Sequence, residues 1–183
     1  FSQKKVLVEN MVLARKSGSA ATFLTGDQAV AKMTVPDGFE AKLAAAEPMI
    51  TQPMAFCWDD RGRLWVAENR DYETRRTGFA NHGDSRILIL EDTDGDGRFD
   101  SRKVFLEGIP FPAAIAVGFD GLWLGAPPNL LFVPDRDRDD RADAGIEIRL
   151  TGWGIQDRHE TLNSLHWGPD GWLYGLQGFA TRS

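Results

Sequence analysis

MAFCWDDRGRLWVAE, residues 54–68, determines the fold of this chain, because its form recurs twice further along. The stretches AAIAVGFDGLWLGA (113–126) and NSLHWGPDGWLYGL (163–176) repeat it. In each copy a short apolar run leads into a glycine turn, and the run after the turn carries an aromatic residue, which is Trp65, Trp123 or Tyr174. Short apolar runs bounded by glycine and aspartate turns are typical of antiparallel strands.

Further strand pairs follow the first two copies: RILILE (86–91) with RKVFLE (102–107), and NLLFV (129–133) with IEIRL (146–150). A four-stranded meander that recurs about every 50 residues is typical of a β-propeller. The sequence therefore predicts an all-β fold, a β-propeller with blades at about 53–107, 113–150 and 163–183. The alternative is a small twisted sheet in which the repetition is accidental.

The third predicted blade has only two strands. Because propellers usually close with at least about four blades, we expect an incomplete fragment of about two and a half blades from a six- or seven-bladed ring. The remaining blades, or other chains, would complete that ring. Residues 1–36 are predicted to form a helical segment and linker, with helices over 4–16 and from about Asp27 to Met33, and residues 37–183 the partial propeller.

Composition limits the function classes. The formal net charge is −6, and nine of the 27 acidic residues are aspartates in two short loops. Acidity that is concentrated in this way favours cations and argues against nucleic acid as a partner. No apolar run approaches the ~18 residues of a membrane span. The single cysteine, Cys57, excludes an internal disulfide and is expected to be inert.

The first aspartate loop, EDTDGDGRFD (91–100), has the alternating carboxylates of an EF-hand-like calcium loop. Ca²⁺ prefers 6–8 oxygen ligands, and aspartates on a tight turn supply several of them. The bidentate glutamate of such loops is missing, because Lys103 stands at that position. The alternative is an exposed hairpin turn rich in aspartate. The predicted ligands are Asp92, Asp94, Asp96, the Arg98 carbonyl and Asp100.

The second aspartate loop, PDRDRDDRAD (134–143), is a degenerate copy of the first, 43 residues later. Its predicted ligands are Asp135, Asp137, Asp139 and Asp143. Arg138 and Asp140 replace the two glycines of the first loop, and Arg136 and Arg138 are expected to neutralise the carboxylates within the loop. The sequence therefore predicts a weaker calcium site here. Both loops join the third and fourth strands of a blade, so they should share one face.

The opposite face collects the longer polar connections, where ligands are expected. His159 lies ahead of an inner strand and is the candidate general base, since histidine titrates near neutral pH. Arginine, aspartate and tyrosine together can hold sugar hydroxyls or anionic groups. The alternatives are a surface histidine among charges and an Arg–Asp pair that braces a loop. The predicted substrate-binding residues are Arg70, Asp71, Tyr72, Arg158 and Asn163.

Residues 35–178 resemble a known family in the order and spacing of three strings. These are PDGFEAKLAAAEPMITQPMAFCWDDRGRLWVAENRDY, ILEDTDGDGRFDSRKVFLEGIPFP and HETLNSLHWGPDGWLYGLQG. The family is the propeller module of planctomycete and verrucomicrobial proteins labelled membrane-bound dehydrogenase-like, often with a C-terminal haem c domain. That module is similar to the soluble quinoprotein glucose and sorbosone dehydrogenases, which bind pyrroloquinoline quinone (PQQ).

The resemblance implies oxidation of a sugar or polyol hydroxyl by PQQ, with His159 as the base, in a periplasmic or secreted protein. Leu162 and Asn163 stand where the dehydrogenases have a glycine region. No haem-binding Cys-x-x-Cys-His motif is present in this chain. The competing function is a non-catalytic, calcium-stabilised propeller that binds glycans or proteins.

Overall fold

The computed structural model describes residues 23–71, 83–155 and 159–178. The chain divides into two compact units, Phe1–Leu43 and Ala44–Ser183. In the first unit, α1 spans Gly26–Val30 and begins at a capping box. There the Gln28 N–H donates to Thr25 Oγ1 at 3.3 Å, and the Thr25 N–H donates to Gln28 Oε1 at 3.0 Å. Residues 31–32 form a turn, so this helix ends before the predicted Met33. The helix predicted over 4–16 lies outside the described residues.

The second unit consists of antiparallel strands, which confirms the all-β prediction. The first sheet has the order β1-β2-β3-β4, with strands Pro53–Trp58, Leu64–Glu68, Ser85–Glu91 and Ser101–Ile109. The second sheet repeats that order, with β5 Ala114–Val117, β6 Gly121–Ala126, β7 Asn129–Pro134 and β8 Glu147–Thr151. The third pairs β9 Asn163–Trp167 with β10 Leu173–Leu176. None of the described sheets closes on itself.

The sheets follow one another through their first strands, since β1 lies beside β5 and β5 beside β9. One apolar cluster joins the first two sheets. It contains Trp65, Ala67, Ile87, Ile89, Phe105, Ile109, Ile115, Leu122, Leu124, Ala126 and Val133. Alternate residues of a strand point to opposite faces, which is why Trp65 and Ala67 join this cluster while Val66 does not. Burying each large apolar side chain contributes about 1.5–3 kcal/mol before chain entropy is subtracted.

The other face of the first sheet is covered by the segment that precedes β1. Val66, Leu88 and Leu90 form a second cluster, against which Met49 and Ile50 pack. The Phe99 N–H also donates to the Ala44 carbonyl at 2.9 Å. No helix among the described residues is long and apolar enough to cross a membrane.

Hairpin topology sorts the connections into two groups. The turns 59–63, 92–100, 118–120, 135–146 and 168–172 lie at one end of the sheets, which we call the turn end. The described residues of the remaining connections lie at the other end, which we call the connection end; they are residues 69–71, 83–84, 110–113, 127–128, 152–155 and 159–162. Both aspartate loops are therefore at the turn end, and His159 is at the connection end.

Candidate functional site

Glu68 occupies the centre of the connection end in the first sheet. Its side chain is fully buried at the end of β2. The carboxylate accepts hydrogen bonds from the Thr51 N–H and from Arg86 Nε, each at 2.5 Å. Arg70 Nη2 lies 3.6 Å away and also donates to Thr51 Oγ1 at 3.2 Å. Because two guanidinium groups neutralise it, Glu68 serves as a buried anchor for the start of β1.

Asp71, predicted to bind substrate, makes hydrogen bonds within its own loop. It is 6% exposed and accepts from the Ser85 hydroxyl at 2.5 Å and from the Asp84 N–H at 3.1 Å. Gly83 makes this approach possible, because a Cβ there would lie 2.3 Å from Asp71 Oδ2. Asp71 thus braces the loop through Ser85 and Asp84. Tyr72, predicted beside it, lies outside the described residues.

Two buried polar atoms at the connection end lack hydrogen-bond partners within the described ranges. They are Asn69 Nδ2 and Thr161 Oγ1, on side chains that are 1% and 2% exposed. An unsatisfied buried polar group costs about 1–3 kcal/mol, so such atoms call for an explanation. The sequence does not predict Thr161 as a site residue, because its burial depends on the fold and not on the residues beside it.

His159 is exposed and stands two residues before the buried Thr161. Asn163, predicted to contact substrate, opens β9 and donates from Nδ2 to the Thr161 carbonyl at 2.8 Å. Its amide therefore stabilises the turn into β9. Arg158 lies outside the described residues. His166, which the sequence favours as a packed histidine, is exposed on β9.

At the turn end, four charged side chains that the sequence did not single out join the first two sheets. We call Asp59, Arg63, Lys103 and Asp140 the clasp. Arg63 donates from Nη1 and Nη2 to the two carboxylate oxygens of Asp140, each at 2.8 Å, and from Nε to Asp59 at 2.9 Å. Lys103 also pairs with Asp140. Arg63 and Asp140 are only 6% and 5% exposed.

The protonation of the clasp follows from these bonds. The hydrogen bonds from Arg63 lower the pKa of Asp140 to about 2, against the opposing effect of burial. For Asp59, burial raises the pKa, but the hydrogen bonds from Trp65 and Arg63 outweigh it, so the pKa lies below its usual value. Hydrogen bonding to Asp140 raises the pKa of Arg63. All three groups are therefore charged at neutral pH.

In the first aspartate loop, Asp92, Asp94 and Asp96 offer oxygens within 4.8 Å of one another. The loop also satisfies these carboxylates itself, since Asp92 accepts from the Gly95 and Gly97 N–H groups, each at 2.8 Å. The other two predicted ligands have other contacts. Asp100 accepts from the Thr93 hydroxyl at 2.6 Å. The Arg98 N–H donates to Asp96 at 2.7 Å, which does not involve the carbonyl predicted as a ligand.

The second aspartate loop brings Asp135, Asp137 and Asp139 within the same distance. Burial raises the pKa of Asp135, which is 7% exposed. Asp143 lies apart and accepts from the Arg136 N–H at 3.0 Å. The expected neutralisation within the loop is wrong for Arg138, because its guanidinium reaches Asp60 in the β1–β2 turn at 2.6 Å.

Cys57 in β1 packs against the cluster between the first two sheets. Burial raises the pKa of its thiol to about 11. Because the thiolate is the reactive form, this cysteine is unreactive at neutral pH.

Comparison with known proteins identifies a family for this chain but no individual relative. No curated protein and no solved structure matches it. Residues 25–183 match a family described as a domain of unknown function, DUF7133. Since that match covers the three sheets and the segment before them, the chain belongs to the DUF7133 family.

Proposed function

We propose that this chain forms part of a β-propeller and that the connection end binds a sugar or polyol. Two four-stranded meanders and a hairpin that follow one another through adjacent first strands support the propeller. In such a ring the first strands surround the axis, and the connection end would gather loops from every blade. The remaining blades would come from further chain or from other subunits.

The observation that carries the ligand proposal is the polar character of the connection end. Glu68, Asn69, Asp71 and Thr161 are all buried there, and His159 is exposed two residues from Thr161. Buried polar groups fix the surrounding backbone when their bonds are made, and unmade bonds favour a polar partner. Sugar and polyol hydroxyls can both donate and accept, which suits a histidine two residues from a threonine whose hydroxyl has no partner among the described residues.

Quinone-dependent oxidation remains a prediction from the resemblance. PQQ is an anionic cofactor, and its carboxylates would need cationic partners. Among the described residues of the connection end, Arg70 and Arg86 both pair with Glu68 and leave no cationic pocket. These residues do not fit the quinone, so we derive no step through it. His159 would act in this proposal as the acceptor of a hydrogen bond, or of a proton, from a bound hydroxyl.

Calcium stabilisation is a second candidate function, and it concerns the turn end. The three convergent carboxylates of each aspartate loop supply half of the oxygens that Ca²⁺ prefers. Calcium bound there would hold a hairpin and would lie away from the ligand.

Ligand-observed NMR on the full chain, with a panel of hexoses and polyols, tests the sugar proposal. We expect saturation transfer to at least one of them, lost in His159→Ala and Thr161→Val. His166→Ala is the matched control, since His166 is an equally exposed histidine on β9. Absence of transfer from the whole panel, or equal loss in the control, would refute it. Dye-linked sugar oxidation with added PQQ separately tests the enzyme prediction.

A further inference from the structure

A cleft of about 230 Å³ opens at the turn end between the first two sheets. The β1–β2 turn, the β5–β6 turn and the second aspartate loop form its walls. It lies away from His159 and is separate from the proposed sugar site, and it shares Asp135 with the second aspartate loop. The clasp closes its floor, so its shape is fixed by buried ion pairs.

Two solvent-exposed aromatic side chains line this cleft. Trp58 is 58% exposed and Phe119 is 74% exposed, and both line it. Phe119 and Asp120 have φ values of 57° and 54°, the left-handed conformation that favours glycine or asparagine in a two-residue turn. The left-handed backbone is unfavourable for a phenylalanine, and its ring stays largely exposed although it packs against Trp167 with the ring centroids 5.3 Å apart. Such positions are characteristic of residues that contact a ligand.

The cleft is negatively charged. Five carboxylates and three guanidinium groups line it, which leaves a net charge of two negative. Most of these groups pair with one another, as Asp60 does with Arg138 and Asp140 with Arg63. Lys103 of the clasp also pairs with Asp140 and reduces the excess to one negative charge, which favours a cationic ligand over an anionic one.

Among the carboxylates that line the cleft, Asp135 is both buried and without an ion-pair partner in the described chain. It is 7% exposed, and its hydrogen-bond donor is the Asp139 N–H at 3.1 Å. In the part of the chain that the structure describes, no lysine, arginine or histidine forms an ion pair with it, whereas Asp137 and Asp139 place carboxylate oxygens within 4.8 Å of its own. A buried charge without a counter-charge is strongly unfavourable, so a bound cation would relieve it.

We propose that this cleft binds a small organic cation that carries an alkylammonium group. Aromatic faces attract such cations, because the ring quadrupole is negative above its plane. Trp58 and Phe119 would contact the alkyl groups around the nitrogen, while Asp135 and Asp120 supply the counter-charge. A bare metal ion could use the carboxylates but would not contact the exposed faces of the two rings, whose existing aromatic neighbours are Phe99 for Trp58 and Trp167 for Phe119.

Choline is the probe, and 3,3-dimethylbutan-1-ol is its neutral isostere. Broadening of the ligand methyl signal in NMR titrations of the full chain, at matched ionic strength, reports binding. We expect saturation at a choline concentration on the order of a millimolar. The neutral alcohol should not saturate below about 100 mM. Equal binding of the two, or binding of neither, would overturn the proposal.

Trp58→Leu and Phe119→Leu keep apolar bulk and remove the ring. Each should weaken choline binding about fivefold, and Asp135→Asn about tenfold. Trp172→Leu is the matched control, since Trp172 is 72% exposed and lies on the β9–β10 turn. Circular dichroism checks that each variant is folded. Unchanged affinity in the folded Trp58 and Phe119 variants, or equal weakening in the control, would overturn the aromatic site.

Discussion

The two aspartate loops start from one sequence template and reach different structural roles. The first loop is exposed and satisfies its carboxylates with its own N–H groups. The second is bound into the interface between the first two sheets, through Asp140 to Arg63 and through Arg138 to Asp60. The second loop therefore departs from the calcium-loop pattern at Arg138 and Asp140, and these are the residues that contact the first sheet.

The replaced glycines show what these contacts require. Gly95 and Gly97 have φ values of 77° and 92°, and their counterparts Arg138 and Asp140 keep positive values of 58° and 69°. A side chain in this conformation costs roughly 1 kcal/mol or more. The second loop thus accepts backbone strain at two positions, and the side chains placed there add ion pairs between the two sheets to the apolar cluster that also joins them.

Removing Arg63 should have the largest effect on stability. Arg63→Met leaves Asp59 and Asp140 buried with the guanidinium gone, and we expect a loss of about 3–5 kcal/mol in the free energy of unfolding. Urea unfolding followed by circular dichroism measures it. Arg141→Met on the exposed part of the same loop is the control, with a change within about 0.5 kcal/mol. Equal losses in the two variants would show that the clasp is not stabilising.

The second largest effect is expected from calcium, which should stabilise the chain through the first loop and not through the second. If the first loop binds Ca²⁺, a free concentration 100 times the dissociation constant stabilises the folded state by about 2.7 kcal/mol. We expect the increase in thermal midpoint to disappear in Asp94→Asn and to remain in Asp137→Asn, because the second loop has lost both glycines. A midpoint that chelator leaves unchanged in the wild type would eliminate the calcium proposal.

The sequence predicted the strands well and the contacts between sheets poorly, for a physical reason. Strand periodicity and glycine turns are local, so the units around Trp65, Trp123 and Tyr174 could be located from residue order. The clasp joins residues 77 positions apart, and nothing near Arg63 identifies Asp140 as its partner. The hydrogen bond between Asp71 and Ser85 could not be predicted for the same reason, since Ser85 comes to Asp71 only when β3 pairs with β2.

Exchanging the loop residues tests the comparison directly. Asp140→Gly relieves the backbone but leaves Arg63 with Asp59 alone, and we expect a net loss of about 2 kcal/mol. Gly97→Asp adds the strain without a partner and should cost about 1 kcal/mol. Chemical denaturation of both variants measures the two values. A stabilised Asp140→Gly would mean that strain outweighs the contact between sheets.

The smallest expected effect distinguishes the central tryptophans of the two sheets. Trp65 Nε1 donates to Asp59 at 2.9 Å, whereas the buried Trp123 Nε1 has no partner in the described chain. Gly118 stands where the first sheet has Asp59, and a Cβ there would lie 2.9 Å from the Trp167 ring, so no acceptor fits. Replacement by phenylalanine removes the same volume at both sites, and the lost hydrogen bond adds about 1 kcal/mol at Trp65 alone. Trp65→Phe should therefore unfold at a lower urea concentration than Trp123→Phe; the reverse order would show that Trp123 has an acceptor in solution.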